Sequence, residues 1–174
     1  GKASQILTWD KNSRFCPAMR LHGYRWPLQP QYGTTGGATC VSGAPNEVWS
    51  YTDQVCEILS DYLRLRERML PYITELMEEA HEKGTPVMRP LFYDFPEDKE
   101  SWNVETEYMF GPKVLVKPIT DADARETDVY LPGGASWTNA WTGETFEGGQ
   151  KVHVAAPIEQ IPLFTRDGYK LPMK

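Results

Sequence analysis

The sequence lacks the features that would assign it to a membrane or to nucleic acid. No apolar stretch approaches the ~20 residues that a membrane-spanning helix needs. Its 18 basic residues are outnumbered by 24 acidic ones, which gives a net charge of -6 and a pI near 5.1. Because nucleic acids and anionic membranes bind basic surfaces, we expect neither of them as a partner.

Cysteine and glycosylation signals are also scarce. The three cysteines, Cys16, Cys40 and Cys56, are odd in number and do not have the spacing of metal ligands. We therefore expect reduced thiols, with no metal and no cofactor. No Asn-x-Ser/Thr acceptor occurs in the sequence, and we expect a cytoplasmic, unglycosylated protein.

The 174 residues are 40% hydrophobic and 24% charged, a composition typical of globular proteins with one ordinary domain or two small ones. The spacing of the apolar residues changes near residue 85, from a helical period to short strands separated by turns. The fold class predicted is therefore α/β plus all-β. Residues 1–85 form the βα part and residues 86–174 form an antiparallel β-sandwich.

The helical part has clear start and stop signals. Ser50 and Asp53 have the spacing of a capping box, Pro71 predicts a kink or a restart, and Gly84 predicts a left-handed cap. His81 in the last turn suits the negative end of the helix dipole. The helix also contains Arg64, Arg66 and Arg68, which alternate with other residues. This alternation predicts a salt-bridged, solvated surface. Apolar residues follow at helical spacing: Val55, Ile58, Leu59, Tyr62, Leu63, Met69, Ile73, Leu76, Met77 and Ala80.

The second part reads as strands bounded by glycine and proline turns. The predicted strands are residues 87–93, 108–110, 113–116, 127–131, 136–137, 151–154 and 161–165. The first part is too short for the fold that it implies, because a complete (β/α)8 barrel takes ~250 residues. It would supply one or two barrel units and leave apolar faces that a larger polypeptide or a partner chain must cover.

The candidate site lies at the end of residues 15–23 (FCPAMRLHG). This segment reads as a buried strand whose C-terminal end presents Arg20 and His22. In a barrel of parallel strands, that edge carries the chemistry. Residues 24–49 form a long loop that holds the aromatic residues Tyr24, Trp26 and Tyr32, which favours a binding loop over a plain surface connection. A single histidine at a strand end can equally have a structural role.

These residues resemble the end of the catalytic barrel of glycoside hydrolase family 31, the retaining α-glycosidases. The resemblance runs in the family's order through most of the chain. It is carried by residues 15–23, 46–50 (NEVWS), 62–72 (YLRLRERMLPY), 84–96 (GTPVMRPLFYDFP), 108–111 (YMFG), 129–132 (VYLP), 137–143 (WTNAWTG) and 161–164 (IPLF). It implies that residues 1–85 are the last unit or units of a (β/α)8 barrel and that residues 86–174 are the proximal β-sandwich behind it.

The resemblance also implies where the chemistry lies. The family hydrolyses terminal α-linked sugars with two aspartates, and both belong to barrel strands that precede this chain. Such chemistry needs two carboxyl groups ~5–5.5 Å apart, and Asp53, Asp94 and Asp98 match no motif for them, so we expect no catalytic residue here. His22 matches the histidine that binds the hydroxyls of the terminal sugar, and Arg20 matches an arginine that orients the acidic groups of the pocket.

The expected substrate is an oligosaccharide or other α-glycoside, and the expected partner is the remainder of the barrel. Residues 15–23 are more similar to α-xylosidase-like members than to α-glucosidases, so we expect xylose or glucose, with xylose favoured. The fragment alone should be inactive. A different reading makes the chain a carbohydrate-binding or purely structural β-sandwich module, and a self-standing enzyme would need a carboxyl pair that the sequence does not contain.

Overall fold

We analysed a computed structural model of the chain that describes residues 15–19, 47–121 and 123–173. Within these ranges, no helix combines the length and the apolar character needed to cross a membrane.

Two consecutive helices make up most of the described residues before residue 84. Helix α1 spans Asp53–Arg68 and helix α2 spans Leu70–Lys83. The predicted break near Pro71 is confirmed, since α1 ends at Arg68 with Met69 as its C-cap, and the proline lies in the first turn of α2, where its missing amide is not needed. Gly84 caps α2 with a φ of 70°, as predicted.

The start of α1 differs from the predicted capping box. Thr52, not Ser50, is the N-cap, and its Oγ1 accepts a hydrogen bond of 3.4 Å from the Val55 amide. Ser50 ends a short 3₁₀ helix, Val48–Ser50, and donates instead to the Glu47 carboxylate. A hydroxyl-bearing residue lies at both positions, so the sequence pattern alone could not choose between them.

Eight strands follow, with a one-turn helix α3 (Leu91–Asp94) after the first strand. The strands are β1 Met88–Arg89, β2 Tyr108–Phe110, β3 Val114–Val116, β4 Glu126–Leu131, β5 Ser136–Asn139, β6 Thr145–Glu147, β7 Gln150–Ala155 and β8 Leu163–Arg166. Six of them form one antiparallel sheet in the order β1-β2-β3-β8-β5-β6, and β4 pairs with β7 in a second antiparallel sheet.

The six-stranded sheet has a core on each face because its side chains alternate. Phe110, Val114, Val116 and Leu163 pack with the apolar stripe of α1 and α2. Met109, Leu115, Trp137 and Phe164 pack with the inner residues of β4 and β7. The helical stripe, which we expected to lack a cover, is therefore buried on the sheet. One core includes residues from both sides of residue 85.

Three local predictions differ from the structure. Residues 15–19, predicted to begin a strand, form a turn and bends. Residues 87–93 were expected to be one strand, but Pro90 ends β1 and α3 begins directly after it. Proline has no amide to donate to a sheet and fits a helix start, which explains both changes. Strand β6 was not predicted, because its three residues are too short and too exposed to show a pattern.

Tyrosine hydroxyls connect the helices to the sheet. Tyr62 of α1 accepts a hydrogen bond of 2.9 Å from the Ile161 amide, and Tyr72 of α2 donates one of 2.9 Å to the Phe110 carbonyl. Burial raises the pKa of both phenols. Each hydroxyl therefore stays neutral and satisfies a backbone group that burial would otherwise leave unpaired.

Gly111→Ala should destabilise the chain by about 2–4 kcal/mol. Gly111 has a φ of 61°, and an added Cβ would overlap the Tyr72 hydroxyl and the Leu76 methyls. Gly143→Ala is the matched control, because its φ of 77° is similar but no atom lies near the added Cβ. It should cost about 1 kcal/mol. Urea unfolding measures both, and equal losses would contradict the close approach of α2 to Gly111.

Tyr62→Phe should lower the free energy of unfolding by about 1–3 kcal/mol, because it leaves the buried Ile161 amide without its acceptor. Tyr93→Phe removes an exposed hydroxyl and should stay within about 0.5 kcal/mol of the parent chain. Amide hydrogen exchange at Ile161 provides a second measurement, since this amide should lose protection in Tyr62→Phe alone. Unchanged exchange there would show that the bond between α1 and the β part does not form.

Candidate functional site

The predicted substrate-binding residues, Arg20 and His22, lie outside the residues that the structure describes, as do Cys40 and the aromatic residues predicted for the binding loop. The structure does describe the segment that leads directly to them, Phe15 to Met19. What the structure shows of the candidate site is therefore the position and the contacts of this segment.

Phe15 anchors the segment in the core. Its side chain is fully buried and meets the rings of Tyr62 and Phe110 edge-on, with centroids 6.5 and 6.2 Å away. The Phe15 carbonyl accepts a hydrogen bond of 3.2 Å from the Tyr108 hydroxyl. The segment is thus held by apolar packing and by a directional bond from strand β2.

Arg66, in the last turn of α1, holds the next two residues. Its Nη1 donates to the Cys16 carbonyl at 2.8 Å, and its Nη2 donates to the Pro17 carbonyl at 3.0 Å. The two nitrogens of a guanidinium are fixed in one plane, so a pair of bonds to successive carbonyls sets the direction of the backbone as well as its position.

The three arginines of α1, predicted to form a salt-bridged surface, have three different partners. The prediction is right for Arg64, which pairs with Asp61 at 2.8 Å on the exposed side. The other two bond to backbone carbonyls, which the prediction did not include. Arg66 donates to the carbonyls of the candidate segment, and Arg68 donates to the carbonyls of Pro172 and Met173 at 2.7 and 2.9 Å. Sequence reasoning missed these roles because the acceptors are backbone atoms far along the chain.

Cys16 does not have the depressed pKa of a reactive cysteine. Burial raises the pKa of its thiol, and the nearby Arg66 charge only partly opposes that effect. Burial also lowers the pKa of Arg66. The thiol is therefore neutral near pH 7, whereas a reactive cysteine needs a depressed pKa. No disulfide joins Cys16 or Cys56 to another residue in the ranges that the structure describes.

Of the three aspartates weighed as catalytic candidates, Asp94 and Asp98 have structural partners. Asp94 forms a buried ion pair of 3.0 Å with Arg89, whose guanidinium also lies over the Tyr93 ring. Burial raises the pKa of Asp94, and the attraction of Arg89 works against it. This carboxyl faces a cation, whereas the mechanism implied by the resemblance pairs a carboxyl with a second one across the sugar.

Asp98 is held in a turn. Its Oδ2 accepts hydrogen bonds of 2.7 Å from the Tyr130 hydroxyl and from the Gly133 amide. Burial alone would raise the pKa of Asp98, but these hydrogen bonds together lower it. Asp53 is an exposed residue in the first turn of α1. Among the described residues, no cluster of three or more histidine, cysteine or carboxylate side chains could hold a metal.

A groove of about 610 Å³ lies between α1 and the loops that follow β5 and β7. The Tyr62 hydroxyl and the Trp141 indole on its walls both bond to the backbone of Ile161. Their polar ends are thus committed to the fold, and apolar surface and charged side chains line the groove. The charged residues are Glu57, Asp61, Arg64, Arg68 and Glu159.

Comparison with known proteins identifies the family. The sequence model described as the glycosyl hydrolase family 31 C-terminal domain matches residues 84–171. The α-xylosidase of Saccharolobus solfataricus is 35% identical over 171 residues, which are 98% of this chain and 21% of that protein. Alpha-glucosidase 2 of Bacillus thermoamyloliquefaciens is 39% identical over 122 residues, covering 70% of this chain and 15% of that enzyme.

A solved structure agrees in fold. The crystal structure of a family 31 α-xylosidase from a soil metagenome, complexed with xylose, superposes with a TM-score of 0.89 at 43% identity. The match covers 97% of this chain and 25% of that enzyme, so the chain spans about a quarter or less of the length of these relatives. Since the matches extend from the helices through the last strand and the family model covers half of the sequence, the chain belongs to glycoside hydrolase family 31.

Proposed function

We propose that this chain is the C-terminal part of a retaining, exo-acting α-glycosidase that hydrolyses terminal α-linked xylose or glucose. The observation that carries the proposal is the match over 97% of the chain to an α-xylosidase whose crystals contain xylose. The relatives that share 35% and 39% identity are an α-xylosidase and an α-glucosidase, which supports both sugars.

The division of the chain into two parts belongs to the same proposal. We assign residues 1–85 to the end of the (β/α)8 barrel and residues 86–174 to a β-sandwich behind it, formed by the two sheets that share one core. The alternative of an independent binding module concerns the sandwich alone. Against it, the structural match also includes the helices before residue 84, which pack on the sheet.

The rest of the barrel is the expected partner of this part. Large apolar side chains remain exposed on and beside the helices, with Trp49 72%, Leu70 50% and Met77 46% exposed. Exposed apolar surface next to a core is typical of a face that contacts another part of a protein. We use the term complete enzyme for this chain together with its upstream barrel. A chimera in which this chain replaces the matching quarter of the soil-metagenome α-xylosidase serves the same purpose.

In the complete enzyme, we assign His22 to the hydroxyls of the terminal sugar and Arg20 to the acidic groups of the pocket. An imidazole can donate one hydrogen bond and accept another, which suits a sugar hydroxyl. We place the catalytic carboxyl pair in the upstream barrel. In this chain, Asp94 is paired with a cation, Asp98 is held in a turn and Asp53 is exposed at a helix start.

The purified 174-residue chain should not hydrolyse aryl α-xylosides or α-glucosides above the buffer rate, because it has no pair of catalytic carboxyls. Circular dichroism should establish that the sample is folded, and the complete enzyme is the positive control for the assay. Turnover that survives repurification and is lost in Asp94→Asn would contradict this expectation, because it would place a reacting carboxyl in this chain.

His22→Ala in the complete enzyme should lower kcat/KM roughly ten- to a hundredfold. Leaving a pocket group unpaired costs ~1–3 kcal/mol, and ~1.4 kcal/mol corresponds to a factor of ten. The control is His81→Ala, which changes an exposed histidine in the last turn of α2. It should leave both kcat and KM unchanged. Full activity in His22→Ala, or a loss confined to His81→Ala, would show that the binding residue has been assigned wrongly.

A further inference from the structure

We propose that Arg66 is the positioning residue of the substrate-binding pair, acting through the backbone that precedes Arg20 and His22. This inference rests on the proposed function, because it takes those two residues as the ones that contact the sugar and the acidic groups. Arg66 itself is assigned no contact with the substrate.

The first argument is the geometry of the guanidinium. Its two terminal nitrogens bond separately to the carbonyls of Cys16 and Pro17, at 2.8 and 3.0 Å, over a separation of about 50 residues in sequence. A charged donor forms shorter and stronger hydrogen bonds to carbonyls than a neutral one. Arg20 follows Pro17 by three residues and His22 by five, so the bonded backbone comes just before the proposed pocket side chains.

The second argument is that the bonds come from two elements. Tyr108 of β2 bonds to the Phe15 carbonyl at 3.2 Å, so three successive carbonyls of the segment are held, one from the sheet and two from α1. Bends form no ladder of their own, and such side-chain bonds are what fixes their backbone. This arrangement suits a segment whose position must be reproducible.

The third argument is that the arginine itself is fixed. Tyr62 lies one helical turn before Arg66, and its hydroxyl bonds to the backbone of Ile161 in the β part. Phe15 packs against the Tyr62 ring with a centroid distance of 6.5 Å. Helix α1 therefore contacts both the β part and the candidate segment. Because α1 is anchored in this way, Arg66 holds the backbone before the proposed pocket residues in a defined position.

The test is Arg66→Met in the complete enzyme, which keeps much of the side-chain length and removes both donors. A small displacement of substrate-binding groups can cost up to a hundredfold, so we expect kcat/KM to fall about tenfold. Arg66→Lys retains the charge without the planar fork and should recover only part of the loss. The matched control is Arg68→Met, which removes two bonds of the same type, to the carbonyls of Pro172 and Met173, and should leave kcat/KM unchanged.

A double-mutant cycle separates positioning from general stability. If Arg66 acts through the pair, then Arg66→Met should cost less than about fivefold in a His22→Ala background, because one of the two positioned groups is gone. Full additivity of the two losses would overturn the proposal. The proposal would also be overturned if the Arg66→Met enzyme had a lower melting temperature but kept its full kcat/KM at temperatures below the unfolding transition.

If Arg66→Met does not fold, Tyr108→Phe is the second variant, because it removes the neighbouring bond to the Phe15 carbonyl. It should lower kcat/KM with the same dependence on His22, and an unchanged value would overturn the proposal.

Two outcomes separate the positioning role from the proposed binding site. Full activity in His22→Ala would refute the proposed binding site itself. A loss in His22→Ala with none in Arg66→Met would refute the positioning role alone.

Discussion

The contact between the helices and the six-stranded sheet depends on buried tyrosines that place a polar atom in an apolar interface. Tyr62 and Tyr72 direct their hydroxyls from the helices to backbone groups of the β part, and the half-buried Tyr108 of β2 directs its hydroxyl to the Phe15 carbonyl. Burial raises the pKa of all three, so the phenols stay neutral and keep their bonds at any physiological pH. Apolar packing supplies most of the attraction, but these bonds fix the register, because a shifted helix would leave buried groups unpaired.

This constraint reaches the candidate site through helix α1. Tyr62 ties the helix to the β part, and Arg66, one turn later, ties it to the carbonyls of Cys16 and Pro17. The segment that precedes the proposed pocket residues is therefore positioned by the same interface that organises the fold. A change in the packing of α1 should be felt both as a loss of stability and as a change in the site.

Much of this fold could be predicted from the sequence, because its signals are local. The apolar period, Pro71 and Gly84 were sufficient to predict the helices and their boundary, and glycine turns delimited most strands. The strand predicted at residues 87–93 was too long because it continued through Pro90, which has no amide to donate to a sheet and which precedes the first residue of α3.

The parts that could not be predicted depend on distant partners. Nothing near Arg66 or Arg68 in sequence indicates that their acceptors are backbone carbonyls about 50 and 100 residues away. The buried pair of Arg89 and Asp94 likewise became visible only in three dimensions. The binding roles of Arg20 and His22 rest on the resemblance, since spacing alone leaves a strand-end histidine with a structural alternative.

The core shared across residue 85 limits how this part of the family can be recombined. The family model begins at residue 84, and a designer of chimeras would naturally place a crossover there. However, the face of the sheet formed by Phe110 and Val114 is covered by α1 and α2, which lie before that boundary. A crossover at residue 84 would join two halves of a core with different ancestries. Exchange between relatives should therefore preserve the helices together with the sheet that they cover.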